Sequence, residues 1–217
     1  MTGKLFWTDP YQTTLTTTVA RVDGQQLWLQ DTIFYAFSGG QESDAGTIAG
    51  WPVELAEKQG QDIVYTLPPE HGLTAGAQVT VAIDWPRRYR LMRLHFAAEL
   101  TLETIYRDFA GVEKIGAHIA ADKARIDFAL PEPITPHLPA ITASVQRLID
   151  ADSEIVSAFS DLEAQRRYWE VPGYCRVPCG GTHLRRTGEV GRIALKRKNI
   201  GKGKERVEIT LLDGAPC

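Results

Sequence analysis

Apolar and polar positions alternate with a period of two in the first third of the chain and recur at helical spacing after it. Gln26-Leu27-Trp28-Leu29-Gln30 alternates strictly, and residues 32–37 are β-branched and aromatic, so both stretches predict strands. Further strands are expected at 47–52, 62–67 and 79–85. Asp23-Gly24, Pro68-Pro69 and His71-Gly72 supply the turns between them. Short strands at this spacing predict a small antiparallel β-barrel with a glycine-rich loop at Ser38-Gly39-Gly40-Gln41. The period changes at Asp84-Trp85-Pro86-Arg87-Arg88, where Pro86 cannot continue a ladder. Leu91, Leu94, Ala98, Leu102 and Ile105 then predict one long helix over 89–109. A hairpin is expected at 115–120 and 123–130, followed by a Pro-rich connector (131–139) and helical pattern over 141–167. Two closing strands, 189–196 and 206–212, are joined by a Gly/Lys loop. The fold class expected is α+β, with a β-barrel domain at 1–86 and an α+β domain at 87–217.

Composition adds little until charge is divided along the chain. With 43% hydrophobic and 24% charged residues, the 217-residue chain can build a core. No apolar run approaches the roughly 20 residues that span a bilayer, and MTGKLFWTDP has no apolar signal region. Cys175, Cys179 and Cys217 are an odd count that argues against a disulfide framework and for a cytoplasmic protein. Residues 1–84 carry three basic against ten acidic side chains, net −7, and the remainder 21 against 17, net +4. Nine Lys/Arg between Arg185 and Arg206 face only Glu189 and Glu205, a pattern that suits an anionic partner or a solvated basic surface.

Two segments carry metal-ligand chemistry. His95 and Glu99 stand i and i+4 on the predicted helix, so they project from one face, as a metal pair or as a plain His–Glu contact. Cys179-Gly180-Gly181-Thr182-His183 offers a thiolate and an imidazole, both suited to zinc, on a glycine-loosened backbone. Together they make a four-group set of His95, Glu99, Cys179 and His183. Cys175 stands four residues upstream as a substitute ligand or a small buried hydrophobe. His71, His118 and His137 read as structural or exposed. Phe34-Tyr35-Ala36-Phe37-Ser38-Gly39-Gly40-Gln41 is not a phosphate loop, because no Lys-Ser/Thr follows and no helix opens after it.

Three segments, in order and at matching spacing, resemble one family. TIFYAFSGGQESDAG (32–46), DWPRRYRLMRLHFAAE (84–99) and YCRVPCGGTHLRRTGEVG (174–191) are similar to the glycine-loop, metal-helix and CGGTH motifs of alanyl-tRNA editing domains. Without an aminoacylation module, the chain resembles the free-standing AlaX group. The resemblance implies a hydrolase that clears serine, and also glycine, from alanine tRNA with one zinc ion. It implies ligands His95, Cys179 and His183, with Glu99 standing where the family has a second histidine. It also implies His95, Gln41 and Thr182 in catalysis and Thr32, Gln41, Gly180 and Gly181 in substrate selection, with nucleotide and ATP binding as accompanying expectations. The basic tail, Arg185, Arg186, Lys196, Lys198, Lys202 and Lys204, would hold the tRNA backbone, helped by Arg192, Arg197 and Arg206. No obligate protein partner is expected. The alternatives are an editing hydrolase for another mischarged tRNA and a metal-free tRNA-binding protein.

An editing activity also has a physical rationale. A synthetic site built for alanine cannot exclude smaller glycine, and an apolar pocket rejects an added hydroxyl only ~10²-fold. A second, polar site supplies the missing discrimination, because it penalises a substrate that leaves its hydrogen bonds unmade.

Overall fold

The computed structural model describes residues 2–201 and 203–212, so Lys202 and Cys217 lie outside the described residues. The chain divides into two compact units, residues 1–38 with 42–89, and residues 39–41 with 90–217.

Among the described residues the first unit holds nine strands: β1 (Gly3–Lys4), β2 (Thr14–Asp23), β3 (Gln26–Leu29), β4 (Asp31–Thr32), β5 (Gly46–Ile48), β6 (Trp51–Pro52), β7 (Leu55–Gln59), β8 (Asp62–Thr66) and β9 (Gln78–Ile83). Seven of them form one antiparallel sheet in the order β6-β5-β9-β2-β3-β8-β7, while β1 pairs with β4 in parallel. The sheet curls because the ten-residue β2 serves two ladders. Its first half pairs with β9 and its second with β3, across a register shift between Val19 and Arg21. No pairing joins β6 to β7 among the described residues, so the ladder is a curled open sheet. Leu27, Leu29, Ile33, Phe34, Tyr65 and Val81 lie at its centre, all at most 1% exposed. The alternation rule misses β2 because Thr14, Thr16, Thr17 and Thr18 read as polar, although threonine's branched Cβ suits a half-buried strand.

Residues 33–36 correct the sequence reading. Composition predicts a strand over 32–37, but only Asp31 and Thr32 pair with a neighbour. Side chains take the place of a partner strand. The Phe34 amide donates to Thr32 Oγ1 (3.0 Å) and the Tyr35 amide to Asp44 Oδ2 (2.7 Å). Arg88 Nη2 donates to the Ile33 carbonyl (2.6 Å), and Tyr65 Oη to that of Phe34 (3.3 Å). Asp44 and Arg88 themselves form a fully buried ion pair.

Helix α1 (Trp85–Asp108) starts four residues before the expected position. Asp84 is its cap, accepting from the Arg87 amide (3.0 Å), and Pro86 is tolerated in the first turn, where no intrahelical N–H is needed. Leu91, Met92, Leu94, Phe96, Ala97 and Leu100 are all 0% exposed, so the helix is apolar on most sides because it is buried on most sides.

The second unit continues with β10 (Glu113–Ile119), β11 (Ala124–Ala129), α2 (Leu138–Asp150), β12 (Val156–Asp161), β13 (Arg166–Val171), β14 (Cys175–Pro178), β15 (Ile193–Asn199) and β16 (Lys204–Leu211). Two antiparallel sheets result, β10-β11-β16-β15 and β12-β13-β14. The helix expected over 141–167 ends at Asp150 instead. Asp152 takes a left-handed conformation (φ 45°), Ile155 donates its amide to the Arg185 carbonyl (2.8 Å), and 156–171 forms a hairpin. Among the described residues no helix is long and apolar enough to cross a membrane.

Candidate metal centre

All of the ligand candidates except Cys175 converge in the second unit. His95 and Glu99 come from α1, and Cys179 and His183 from the loop that leaves β14. The donor atoms of His95, Cys179 and His183 lie within 4.8 Å of one another. Cys179 Sγ is 3.5 Å from His95 Nε2, and Glu99 Oε1 stands 3.4 Å from the same nitrogen and 3.9 Å from the sulfur. The two imidazoles stack, centroids 5.2 Å apart. Glu99 is thus beside the trio rather than within it. Cys175 stays outside, half-buried at the start of β14, with its thiol pushed up to about 12 by burial and by Glu103.

The loop fits around His95 because residue 181 is glycine. A Cβ there would lie 2.3 Å from His95 Cε1 and 2.9 Å from Gln41 Oε1. His95 Nδ1 meets the Thr182 carbonyl (3.2 Å), and since a carbonyl only accepts, Nδ1 carries the proton and Nε2 faces the sulfur. His183 Nδ1 is 3.1 Å from Ser157 Oγ, while its Nε2 is buried without a hydrogen-bond partner. With Nδ1 donating to the serine hydroxyl, Nε2 presents a lone pair to the cluster. A buried, unanswered imidazole nitrogen beside a second imidazole and a thiol is the donor set that zinc takes.

Electrostatics points the same way. Burial pulls the His95 pKa down, but Cys179 and Glu99 overcome it and hold the imidazole well above its ordinary value, so the field at Nε2 favours a cation. Burial, His95 and Arg167 together press His183 well below its ordinary value, keeping it in the neutral form a metal requires. Burial opposes ionisation of Glu99, yet His95 and Trp169 keep its carboxyl below the usual range.

Beside the cluster lies a polar pair. Gln41 Nε2 donates to Thr182 Oγ1 (2.9 Å), and the Thr182 amide to Gln41 Oε1 (3.4 Å). Gln41 is held on the edge of β10 by a parallel bridge to Ile119, with the Ile119 amide donating to the Gly40 carbonyl (2.8 Å). Gly40 permits this approach, for its φ is +90° and a Cβ would sit 2.8 Å from the Ala117 carbonyl oxygen.

Three residues of the centre are not singled out by the sequence. Trp169 Nε1 donates to Glu99 Oε2 (3.2 Å), Ser157 orients His183, and the buried Arg167 donates to the Gly181 carbonyl (3.3 Å). All sit on the β12–β13 hairpin, where alternation through Arg167-Tyr168-Trp169-Glu170-Val171 is the signal that could have found Arg167 and Trp169. Thr32 belongs to the first unit. Its hydroxyl is fully buried between Tyr65 Oη (2.7 Å) and the Phe34 amide, where it fixes its own segment. His71 is likewise structural, bridging the Gly24 carbonyl and the Leu73 amide.

Residues 174–208, which include Cys179 and His183, match the family described as threonyl and alanyl tRNA synthetase second additional domain. Over 97% of its length the chain is 32% identical to the alanyl-tRNA editing protein AlaX-M of Pyrococcus horikoshii, covering 98% of that protein. The chain belongs to the AlaX family of alanyl-tRNA editing proteins. Its AlaX-M relative from Methanosarcina mazei is also 32% identical, with 99% of this chain and 98% of the relative aligned. The alanine–tRNA ligase of Ignicoccus hospitalis is 33% identical over 95% of this chain, which spans only 26% of the ligase. The ATP binding expected from the sequence finds no support in these relatives or in the centre's residues.

Proposed function

We propose that this AlaX chain hydrolyses the ester joining a wrong amino acid to alanine tRNA, with the seryl ester as main substrate and the glycyl ester as a second. The observation that carries the reading is the His95–Cys179–His183 cluster lying beside the Gln41–Thr182 pair. Editing needs both a group that promotes hydrolysis and a polar pair that tests the amino acid. In this reading residues 1–86 are the curled β-sheet domain, residues 87–217 are the editing domain with its zinc-site helix, and the protein works in the cytoplasm, where charged tRNA is.

His95, Cys179 and His183 would hold the zinc, with Glu99 as a fourth group. Bound zinc supplies Lewis acidity toward an oxygen of the reacting ester or of water. The chain's own groups provide the rest. Ser157 and the Thr182 carbonyl fix the two imidazoles, and Trp169 fixes Glu99. Thr182 Oγ1 accepts from Gln41, so its own proton is available to a serine hydroxyl. An alanyl ester leaves this pair unanswered, a loss on the order of 1–3 kcal/mol per buried polar group. The backbone amides of Gly180 and Gly181 are the candidate donors to the developing oxyanion.

Deacylation of seryl-, glycyl- and alanyl-tRNA(Ala), with seryl-tRNA(Thr) alongside, tests the reading. Seryl-tRNA(Ala) should be cleared at least ~10²-fold faster than alanyl-tRNA(Ala). Preference for seryl-tRNA(Thr) would move the activity to another tRNA. Decay of every ester at the buffer rate would leave a binding protein.

A further inference from the structure

We propose that the outward face of the β10-β11-β16-β15 sheet is the docking platform for the acceptor duplex of the tRNA. The proposal rests on the editing reading for its partner and adds to it a surface that the basic tail alone does not define.

The sheet is two-faced. Ile126, Phe128, Val207 and Ile209 point inward and are at most 1% exposed. The alternate positions are charged. Register sets Arg125, Glu208 and Lys196 in one cross-strand row, and Asp127, Arg206 and Lys198 in the next. Lys123 reaches Glu208 from two residues before Arg125 (2.8 Å), and Lys204 lies on the same face of β16 as Arg206. Six cations therefore share the face with three carboxylates, the third being Glu113 of β10 in the row of Ala129 and Lys204, a net +3.

Asp127 and Glu208 lie beneath the cations, while Glu113 stands exposed at the β10 edge. Side chains of Asp127 and Glu208 are 10% and 14% exposed, whereas Lys196 and Lys198 stand open to solvent. Asp127 holds Arg206 in a two-pronged pair (2.6 and 2.9 Å) and Arg125 beside it. Guanidiniums fixed in this way have lost their rotamer freedom before a ligand arrives, which lowers the entropic cost of binding. Such an array matches a polyanion of regular spacing. Among its described residues the face carries no Phe, Tyr or Trp for base stacking, which favours contact with the backbone of a duplex over a single strand.

The platform also leads to the reading pair. Gln41 is bridged to β10, the edge opposite Lys196 and Lys198, and reaches Thr182 from there. Three strand spacings, about 14 Å, separate the two edges. A duplex laid across the sheet would bring its 3′ end over the β10 edge. Other tail residues serve elsewhere. Arg197 faces the opposite side and pairs with Glu205, while Arg186 holds Asp152.

The test compares a K123A/K196A/K198A variant with a control, R21A/K58A/R147A, that removes equal charge from exposed positions off the sheet. Melting temperatures check that both fold. For uncharged alanine tRNA, the platform variant should bind about 10²-fold more weakly at 0.1 M salt, with the log–log salt slope reduced by about two. For seryl-tRNA the loss should fall on KM and leave kcat unchanged. A seryl ester of the trinucleotide CCA, too short to reach the platform, should be cleaved alike by the variant and the wild type. Unchanged affinity and slope, or equal losses in the control, would overturn the proposal. Lysine-dependent tRNA binding without hydrolysis of any ester would instead retire the editing reading and keep the surface.

Discussion

Residues 33–36 and residues 181–183 are both irregular backbone inside the protein, and they differ in how fully their polar atoms are answered. In the first, Thr32, Asp44, Tyr65 and Arg88 answer the amides of Phe34 and Tyr35 and the carbonyls of Ile33 and Phe34. In the second, His183 Nε2 has no partner, and the glycine at 181 is spent on letting His95 come close. Polar atoms answered by side chains mark a segment held for stability. A buried polar atom left unanswered marks one shaped for a ligand.

Substitutions can break this contrast. The largest effect is expected in the second segment, where H183A and G181A should abolish stoichiometric zinc, measured by elemental analysis, together with hydrolysis, while the protein stays folded. Zinc near one per chain in both variants would remove the cluster from the metal. Next in size is R88M, which leaves Asp44 as an unpaired buried carboxylate. It should destabilise the fold by about 3–5 kcal/mol in urea titration without lowering zinc content in the folded fraction. A cost below about 1 kcal/mol would mean that 33–36 is not held by side chains.

Glu99 lies between the two patterns, because one oxygen is answered by Trp169 and the other faces the sulfur and His95. Changing it to Gln should weaken zinc ~10–100-fold if it orients ligands. Total loss would make it a ligand, and no change would exclude it from the centre. The smallest effect concerns Cys175. A thiol pushed up to about 12 is almost wholly protonated at pH 8. Alkylation mapped by mass spectrometry should therefore run about 10³-fold slower than at an ordinary cysteine and rise tenfold per pH unit toward pH 12. Rapid modification at pH 8 would refute the burial argument.

Legibility in the sequence follows the range of the interactions. His95 with Glu99, and Cys179 with His183, are readable because each pair lies within a turn or a short loop. The Gln41–Thr182 contact spans 141 positions, so no local pattern shows it, although the resemblance places both residues at the site. Trp169, Ser157 and Arg167 escape notice because the helical spacing near Val145 and Ile149 continues in the sequence past Asp152, whose left-handed backbone no periodicity reveals. Residues 32–37 have strand composition but receive side-chain partners from positions 44, 65 and 88. Local propensity describes the residues themselves and carries no record of who answers their amides.

The bridge between Gln41 and Ile119 has a consequence for biosynthesis. A ribosome adding about 5–20 residues per second makes Gln41 many seconds before Thr182 exists. During much of that interval the strand edge that will receive Gln41 is also unmade, since it lies at Ile119. The reading pair therefore cannot assemble on a nascent chain until the ribosome has passed Thr182. Charged tRNAs feeding that same ribosome meet no half-built hydrolase along the way.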